Sequence, residues 1–141
     1  MRSQDTVEWL VRSRRYLAES FRESPDLRAA AAAAGYSPYH YHRLFKELFG
    51  ETPLEYVSRL RFEEAKRLLC LSSLSVSDVC LDVGYESLAS FSLAFADRYG
   101  CPPTEFRRIF SIPFQCTARF IPHCFLVAPD ESHLRNHSKI R

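Results

Sequence analysis

Apolar residues recur at helical spacing from about residue 6 to residue 110 of this 141-residue chain, and one stretch of the pattern occurs twice. In residues 37–50, SPYHYHRLFKELFG, the side chains of Tyr41, Leu44, Phe45, Leu48 and Phe49 fall on one face of a helical wheel. In residues 87–100, SLASFSLAFADRYG, Phe91, Ala94, Phe95 and Tyr99 do the same, with Arg98 where the first copy has Leu48. Fifty residues separate Tyr41 from Phe91, Phe45 from Phe95, Phe49 from Tyr99, Gly50 from Gly100, Pro53 from Pro103, Glu55 from Glu105 and Tyr56 from Phe106. Upstream, Leu27, Ala30, Ala34, Gly35 and Tyr36 match Val76, Val79, Val83, Gly84 and Tyr85 at a spacing of forty-nine. A repeat of this length predicts two copies of one supersecondary unit.

Start and stop signals divide the pattern into helices. Residues 6–21 read as an amphipathic helix with Val7, Leu10, Val11, Leu17, Ala18 and Phe21 inward, leaving Arg12, Arg14, Arg15 and Arg22 for solvent and Arg14 and Arg15 within reach of phosphate. Ser24 as cap and Pro25 at the first helical position predict an alanine-rich helix over 25–34, ended by Gly35 in the left-handed conformation. Ser37-Pro38 repeats the start signal at once, and two helices joined by a three-residue glycine-containing turn are a helix-turn-helix. Thr52-Pro53 with Glu55 predicts a capping box and a long helix over 53–71. Its inward arc holds Leu54, Val57, Phe62, Ala65, Leu68 and Leu69, extended by Tyr56 and Leu60, wide enough to pack against both repeats. Arg61 falls inside that arc, where a structural ion pair or carbonyl contact is expected, since buried charges are paired. Ser75 with Asp78 opens the next short helix, Ser87 opens the second copy of the motif, and Pro103 opens a last helix whose cap position, Pro102, has no side chain to donate to.

The expected fold is therefore all-α, about seven helices forming two helix-turn-helix units, at about 5–51 and 75–110, joined by the linker helix 53–71. Residues 1–110 form one domain in this reading. From residue 111, prolines at 113, 122 and 129 break the pattern, and 111–141 reads as an irregular tail compatible with the start of a missing or truncated domain.

The content of 46% hydrophobic and 26% charged residues is that of an ordinary globular protein and calls for no fibrous or low-complexity class. No apolar run approaches the ~18 residues of a membrane span, and MRSQDTVEWLVRSRR has charges where a signal peptide has its apolar centre, so a cytoplasmic protein is expected. Five cysteines, at 70, 80, 101, 116 and 124, form no CxxC pair, and reduced, buried thiols are expected of the three in the repeat region. Net charge is +2, but residues 1–70 carry twelve Lys/Arg against ten Asp/Glu while residues 71–110 carry three against five. A basic footprint for nucleic acid belongs, on this count, to the first unit.

The outward faces of the two repeated helices differ. The first shows Tyr39, His42, Arg43 and Lys46, donors suited to major-groove base edges and phosphates, although an ordinary solvated helix also shows a charged face. The second shows Ala89, Ser92, Leu93 and Ala96, with no charge, suited to a thymine methyl or to a purely structural role.

The run DLRAAAAAAGYSPYHYHRLFKELFGETPLEYVSRLRFEEAKRLL followed by SVSDVCLDVGYESLASFSLAFADRYGCPPTEFRR resembles the DNA-binding domain of the AraC/XylS family of bacterial transcription regulators. The resemblance covers roughly residues 5–110 and is carried by the paired GYS and GYE turns, the two F-x3-(F/Y)-G endings, TPLEY and PPTEF, and the intervening RLRFEEAKRLL. It implies a regulator, an activator in keeping with the family, that presents two recognition helices to successive major-groove segments of double-stranded promoter DNA, with RNA polymerase as a second partner. No cofactor is implied and no effector is assigned. Carried over by position, the base-contacting places fall on Tyr39, His42 and Arg43 in the first unit and on Leu88, Ala89, Ser90, Ser92 and Leu93 in the second. Lys46, Ser37, Arg107 and Arg108 fall where phosphate contacts are expected. Family members often have a basic residue where this chain has Leu93 and Ala96. They commonly carry a separate effector or dimerisation domain, for which there is no room before residue 5; FSIPFQC fits the start of a linker to one of GyrI type.

Other chemistries find little support. His40 and His42 lie 200° apart on their helix, and Cys116, His123, Cys124, His133 and His137 lack ligand spacing, so no metal site is expected. No nucleophile, base and orienting group occur together, so no enzyme is expected. The alternative to a sequence-specific regulator is a protein-interaction module that keeps the fold without effective DNA binding, motivated by the uncharged second face and by fifteen basic against fifteen acidic residues over 1–110.

Overall fold

The computed structural model describes residues 2–111; beyond Ser111, the expectations for the tail, including its cysteines and histidines, lie outside the described residues. Seven α-helices and no strand occur among them: α1 (Arg2–Ser20), a 3-10 turn (Phe21–Glu23), α2 (Leu27–Ala33), α3 (Pro38–Phe49), α4 (Pro53–Leu71), α5 (Val76–Asp82), α6 (Leu88–Tyr99) and α7 (Pro103–Phe110). This is the all-α double helix-turn-helix expected from the repeat, with α2–α3 and α5–α6 as the two units and α4 between them.

Local chemistry starts most helices where the sequence places them. Ser37 Oγ accepts the His40 N–H at 3.3 Å, and Ser87 Oγ accepts the Ser90 N–H at the same distance. Thr52 and Glu55 close a reciprocal capping box, Thr52 N–H donating to Glu55 Oε2 at 2.7 Å and Glu55 N–H to Thr52 Oγ1 at 3.2 Å. Ser75 and Asp78 repeat the arrangement on α5, and α7 starts after Pro102 with no side-chain cap. Gly35 turns the chain with φ +73. The start of α2 corrects the reading of Ser24: the cap is Asp26, whose carboxylate accepts from the Arg28 and Ala29 N–H groups, while Ser24 is left-handed at φ 57 behind the 3-10 turn. Both residues are good caps, and the intervening 3-10 turn decides between them.

Two buried clusters form, one per unit, and α4 serves both. Tyr56 and Val57 join Leu10, Leu17, Ala31, Tyr41 and Phe45, whereas Phe62, Ala65, Leu68 and Leu69 join Val79, Val83, Phe91, Phe95 and Phe106. The repeat extends to ring geometry: Tyr41–Phe45 and Phe91–Phe95 centroids are both 5.8 Å apart, Phe45–Phe49 and Phe95–Tyr99 both 4.6 Å. Each fully buried ring stabilises its unit by roughly 1.5–3 kcal/mol, which pins one face of α3 and of α6 inward.

Four apolar expectations fail, the first being Leu48, which is 41% exposed at the edge of the inward face of α3. Leu54 is 60% exposed although it lies within the arc of the later buried residues of α4, because at this end of the helix the buried side is rotated toward Pro53, Tyr56 and Val57. Val7 and Val11 are exposed, and α1 instead buries Leu10, Ser13 and Leu17. Its inward stripe is rotated toward Trp9, whose ring meets Tyr41 edge-on at 5.3 Å, and toward Ser13, whose Oγ shares a 2.5 Å hydrogen bond with the Tyr41 hydroxyl. That pair satisfies the hydroxyl that distinguishes Tyr41 from its counterpart Phe91. Cys70 and Cys80 are buried as expected, but Cys101 is only half-buried.

Candidate nucleic-acid interface

With its aromatic stripe pinned, α3 turns the opposite face outward, and Tyr39 is 78% exposed there. Arg43 and Lys46 are exposed on the following turns, and His42 is half-buried, its ring edge-on to Tyr41 at 6.1 Å. Arg43 Nε lies 3.5 Å from Glu47 Oε1 in an exposed i,i+4 pair, a contact weak enough to exchange for another acceptor. Ser37 is exposed at the amino end of α3, its Oγ engaged as the cap. The end of α3 is tied down by Arg59 of α4, which donates from Nε and Nη2 to the Glu51 carboxylate at 3.2 and 2.7 Å and from Nη1 to Glu63 at 3.2 Å. The hydrogen bond with Glu51 holds the Arg59 guanidinium even more firmly protonated than usual.

This clamp has no counterpart in the second unit, where Cys101 and Ile109 stand fifty residues on from Glu51 and Arg59. On α6, Leu93 is 75% exposed, Leu88, Ala89 and Ser90 are exposed, and Ser92 is half-buried. The candidate residues of the second unit thus come together on one outward face, as those of the first do, but with hydroxyls and methyl groups as their only functional atoms.

The two arginines of α7 part company. Arg108 is exposed, with Glu105 3.6 Å away. Arg107 donates from Nε to the Leu69 carbonyl at 3.1 Å, and its Nη2 is buried, so this guanidinium is turned onto the end of α4. Arg14 likewise has an internal contact, over the rings of Phe49 at 4.8 Å and Tyr56 at 5.1 Å, while Arg15 faces solvent beside Glu19. Arg61 makes the carbonyl contact expected of it, donating from Nε to Phe21 O at 2.7 Å. The positioning pair Arg59–Glu51 was not apparent in the sequence, since Glu51 stands in the turn ahead of α4 and Arg59 within the helix, so helical spacing does not relate them. No helix among the described residues is long and apolar enough to cross a membrane.

Comparison with known proteins agrees with this geometry. A family described as "Helix-turn-helix domain" matches residues 30–109. The chain is similar to AdaA of Bacillus subtilis (strain 168), a "Bifunctional transcriptional activator/DNA repair enzyme", with 31% identity over 102 residues, 72% of this chain and 48% of AdaA. It is similar to the "Probable transcription factor PqrA" of Proteus vulgaris, with 33% identity over 96 residues, 68% of this chain and 73% of PqrA. Among solved structures, the DNA-binding domain of AdpA, a global transcriptional factor in complex with a target DNA, superposes with a TM-score of 0.66 at 29% identity, covering 72% of this chain and 91% of that one. The chain therefore spans about half the length of AdaA, and its relatives are named as transcription regulators, one of them also a repair enzyme. From the paired turns and aromatic endings, the two units around α4 and this family match over residues 30–109, the chain belongs to the AraC/XylS family of DNA-binding transcription regulators.

Proposed function

We propose that residues 1–110 read a bipartite promoter site in the bacterial cytoplasm, the first unit supplying most of the sequence specificity and the second a weaker, methyl-directed contact. The observation that carries this reading is the outward face of α3: Tyr39, His42, Arg43 and Lys46 exposed or half-exposed on the second helix of a helix-turn-helix whose other face is locked by buried rings. A guanidinium on such a face matches the O6/N7 edge of guanine, and an imidazole or phenol matches single acceptors beside it. Lys46, Arg108 and the amino end of α3 at Ser37 are the proposed phosphate contacts, a reading that their exposure supports. Arg107 is left out of this set, because its guanidinium is engaged with Leu69.

On α6, Leu88, Ala89 and Leu93 are suited to thymine methyl groups, with Ser90 and Ser92 as the hydrogen-bonding members. The DNA complex of the AdpA domain supports duplex DNA as the ligand of a chain with this fold. RNA polymerase is the further partner that the family implies. Selection from random duplexes, followed by affinity measured against salt, tests the reading. An enriched site with a guanine-centred first half, and log affinity falling with log salt, is expected. Absence of any enriched sequence, together with salt-independent binding, would leave the protein-interaction alternative in its place.

A further inference from the structure

The two units are tied together beside α4 by a cluster around the 3-10 turn Phe21–Glu23. Arg22 donates from Nη2 to Glu64 Oε1 at 2.5 Å, and its Nη1 lies 3.5 Å from Asp82 Oδ2, so one guanidinium holds α4 and the end of α5. Arg61, three residues before Glu64 on α4, donates from Nε to the Phe21 carbonyl at 2.7 Å and from Nη2 to Ser24 Oγ at 3.2 Å, and its guanidinium lies 5.6 Å from the centre of the Tyr85 ring. Between them passes Gly84, at φ +93, where an added Cβ would lie 2.5 Å from the Arg22 carbonyl oxygen.

The repeat shows that this contact is an addition rather than a requirement of the turn. Gly35 holds the same place in the first unit, and a Cβ there would meet nothing within 4 Å. Tyr36, the counterpart of Tyr85, is held instead by α1, through a 3.1 Å hydrogen bond with Thr6 and the ring of Trp9 at 5.6 Å. Each turn tyrosine therefore docks on an element that precedes its own unit. For the second unit, that element is α4, where the Tyr85 ring lies 5.6 Å from the Phe62 ring and beside Arg61, while Gly84 in the same turn meets the segment leading into α2.

The segments joined here run directly into the readers: residues 84–86 lead into α6, and residues 21–24 lead into α2 and so to α3. One base pair inserted between two half-sites rotates the second by about 35° and carries it about 3.4 Å along the duplex. Two units hinged only on α4 follow such a change by bending, whereas two units locked at the turn do not. We propose that Arg22, Arg61 and Gly84 form a spacing gauge that fixes the phase between α3 and α6, and with it the number of base pairs accepted between the two half-sites. The inference rests on the reading that both α3 and α6 engage DNA.

The test uses the full chain, the bipartite duplex from the selection experiment, the same duplex with its spacer changed by one and two base pairs, and the first half-site alone. Wild type is expected to lose about tenfold in affinity for each spacer change, the size of one lost base contact. Arg22→Gln removes both ion pairs from a half-exposed side chain, and Arg61→Lys keeps the charge without the fork that reaches Phe21 and Ser24 together. Each variant is expected to flatten the spacer dependence to within about threefold while binding the isolated first half-site as wild type does. Circular dichroism and thermal melting are expected to show both variants folded. Variants that keep the wild-type spacer dependence, or that weaken every duplex and the half-site equally, overturn the gauge and leave two-helix reading intact. A wild-type protein that selects only one half-site overturns the two-helix reading and the gauge together.

Discussion

Replacing Arg43 with alanine isolates the side chain on which the proposed specificity of α3 depends most. In the free protein its partner is Glu47 at 3.5 Å, both side chains being more than half exposed. An exposed pair of this kind contributes at most about 0.5 kcal/mol, so Arg43→Ala shifts the melting midpoint by no more than about 4 °C. In the proposed complex the same guanidinium, released from Glu47, would make two hydrogen bonds to one guanine, worth about 1–3 kcal/mol of discrimination, or roughly 5- to 150-fold in Kd. Fluorescence anisotropy against the selected duplex and its single-base variants, repeated over a range of salt, separates the possible roles. The expected result is a loss concentrated at one base pair, with preference flattened there and the salt slope nearly unchanged. Lys46→Ala provides the contrast: it weakens all duplexes alike and lowers the salt slope by about one. Glu47→Gln, which frees Arg43 and removes a nearby negative charge, tightens binding by about twofold. Retention of the wild-type base preference at every position by Arg43→Ala, or behaviour matching that of Lys46→Ala, refutes base reading by this residue.

Three further outcomes follow from the same geometry. Leu93→Ala lowers affinity by no more than about fourfold, the worth of one methylene-sized contact, and a loss equal to that of Arg43→Ala sinks the asymmetry between the two readers. Gly35→Ala costs about 1–2 kcal/mol for left-handed backbone strain alone. Gly84→Ala costs more in the same urea titration, because the added Cβ also meets the Arg22 carbonyl, and equal costs contradict the close approach. The hydrogen bond from the Thr52 N–H holds the Glu55 carboxyl below its ordinary value of 4.5. A depressed carboxylate stabilises the fold fully above its ordinary value and ceases to do so as pH falls through its folded value. The stability gap between wild type and Glu55→Ala is therefore present at pH 7 and narrows below pH ~4.5, and a constant gap down to pH 3 excludes the capping-box linkage.

Much of the candidate interface was legible because helical periodicity and outward exposure are two sides of one pattern. Once Tyr41, Phe45 and Phe49 are inward, Tyr39, Arg43 and Lys46 must face out, and Leu93 is outward on α6 for the same reason. The roles of individual arginines were less legible. Arg14, Arg59, Arg61 and Arg107 are all long cations at similar-looking positions, yet they end over the rings of Phe49 and Tyr56, on Glu51, on the Phe21 carbonyl and on the Leu69 carbonyl. A flexible guanidinium reaches several acceptors, and its choice depends on which backbone carbonyls and carboxylates the packing leaves nearby.

The sequence by itself determined where most of the helices begin, which face of each repeated helix carries the buried rings, and that the unit occurs twice. Caps such as Ser37, Thr52 and Ser87 act within three residues, and the apolar period acts within a few turns, so both can be read locally. Only the tertiary structure decided that Leu54 falls outside the side of α4 that Pro53, Tyr56 and Val57 bury, that Ser13 rather than Val11 enters the core, and that Gly84 passes against Arg22, sixty-two residues earlier in the chain. Those outcomes depend on how far one helix extends along another and on the rotation between them, which are properties of packed pairs of segments and not of either segment alone.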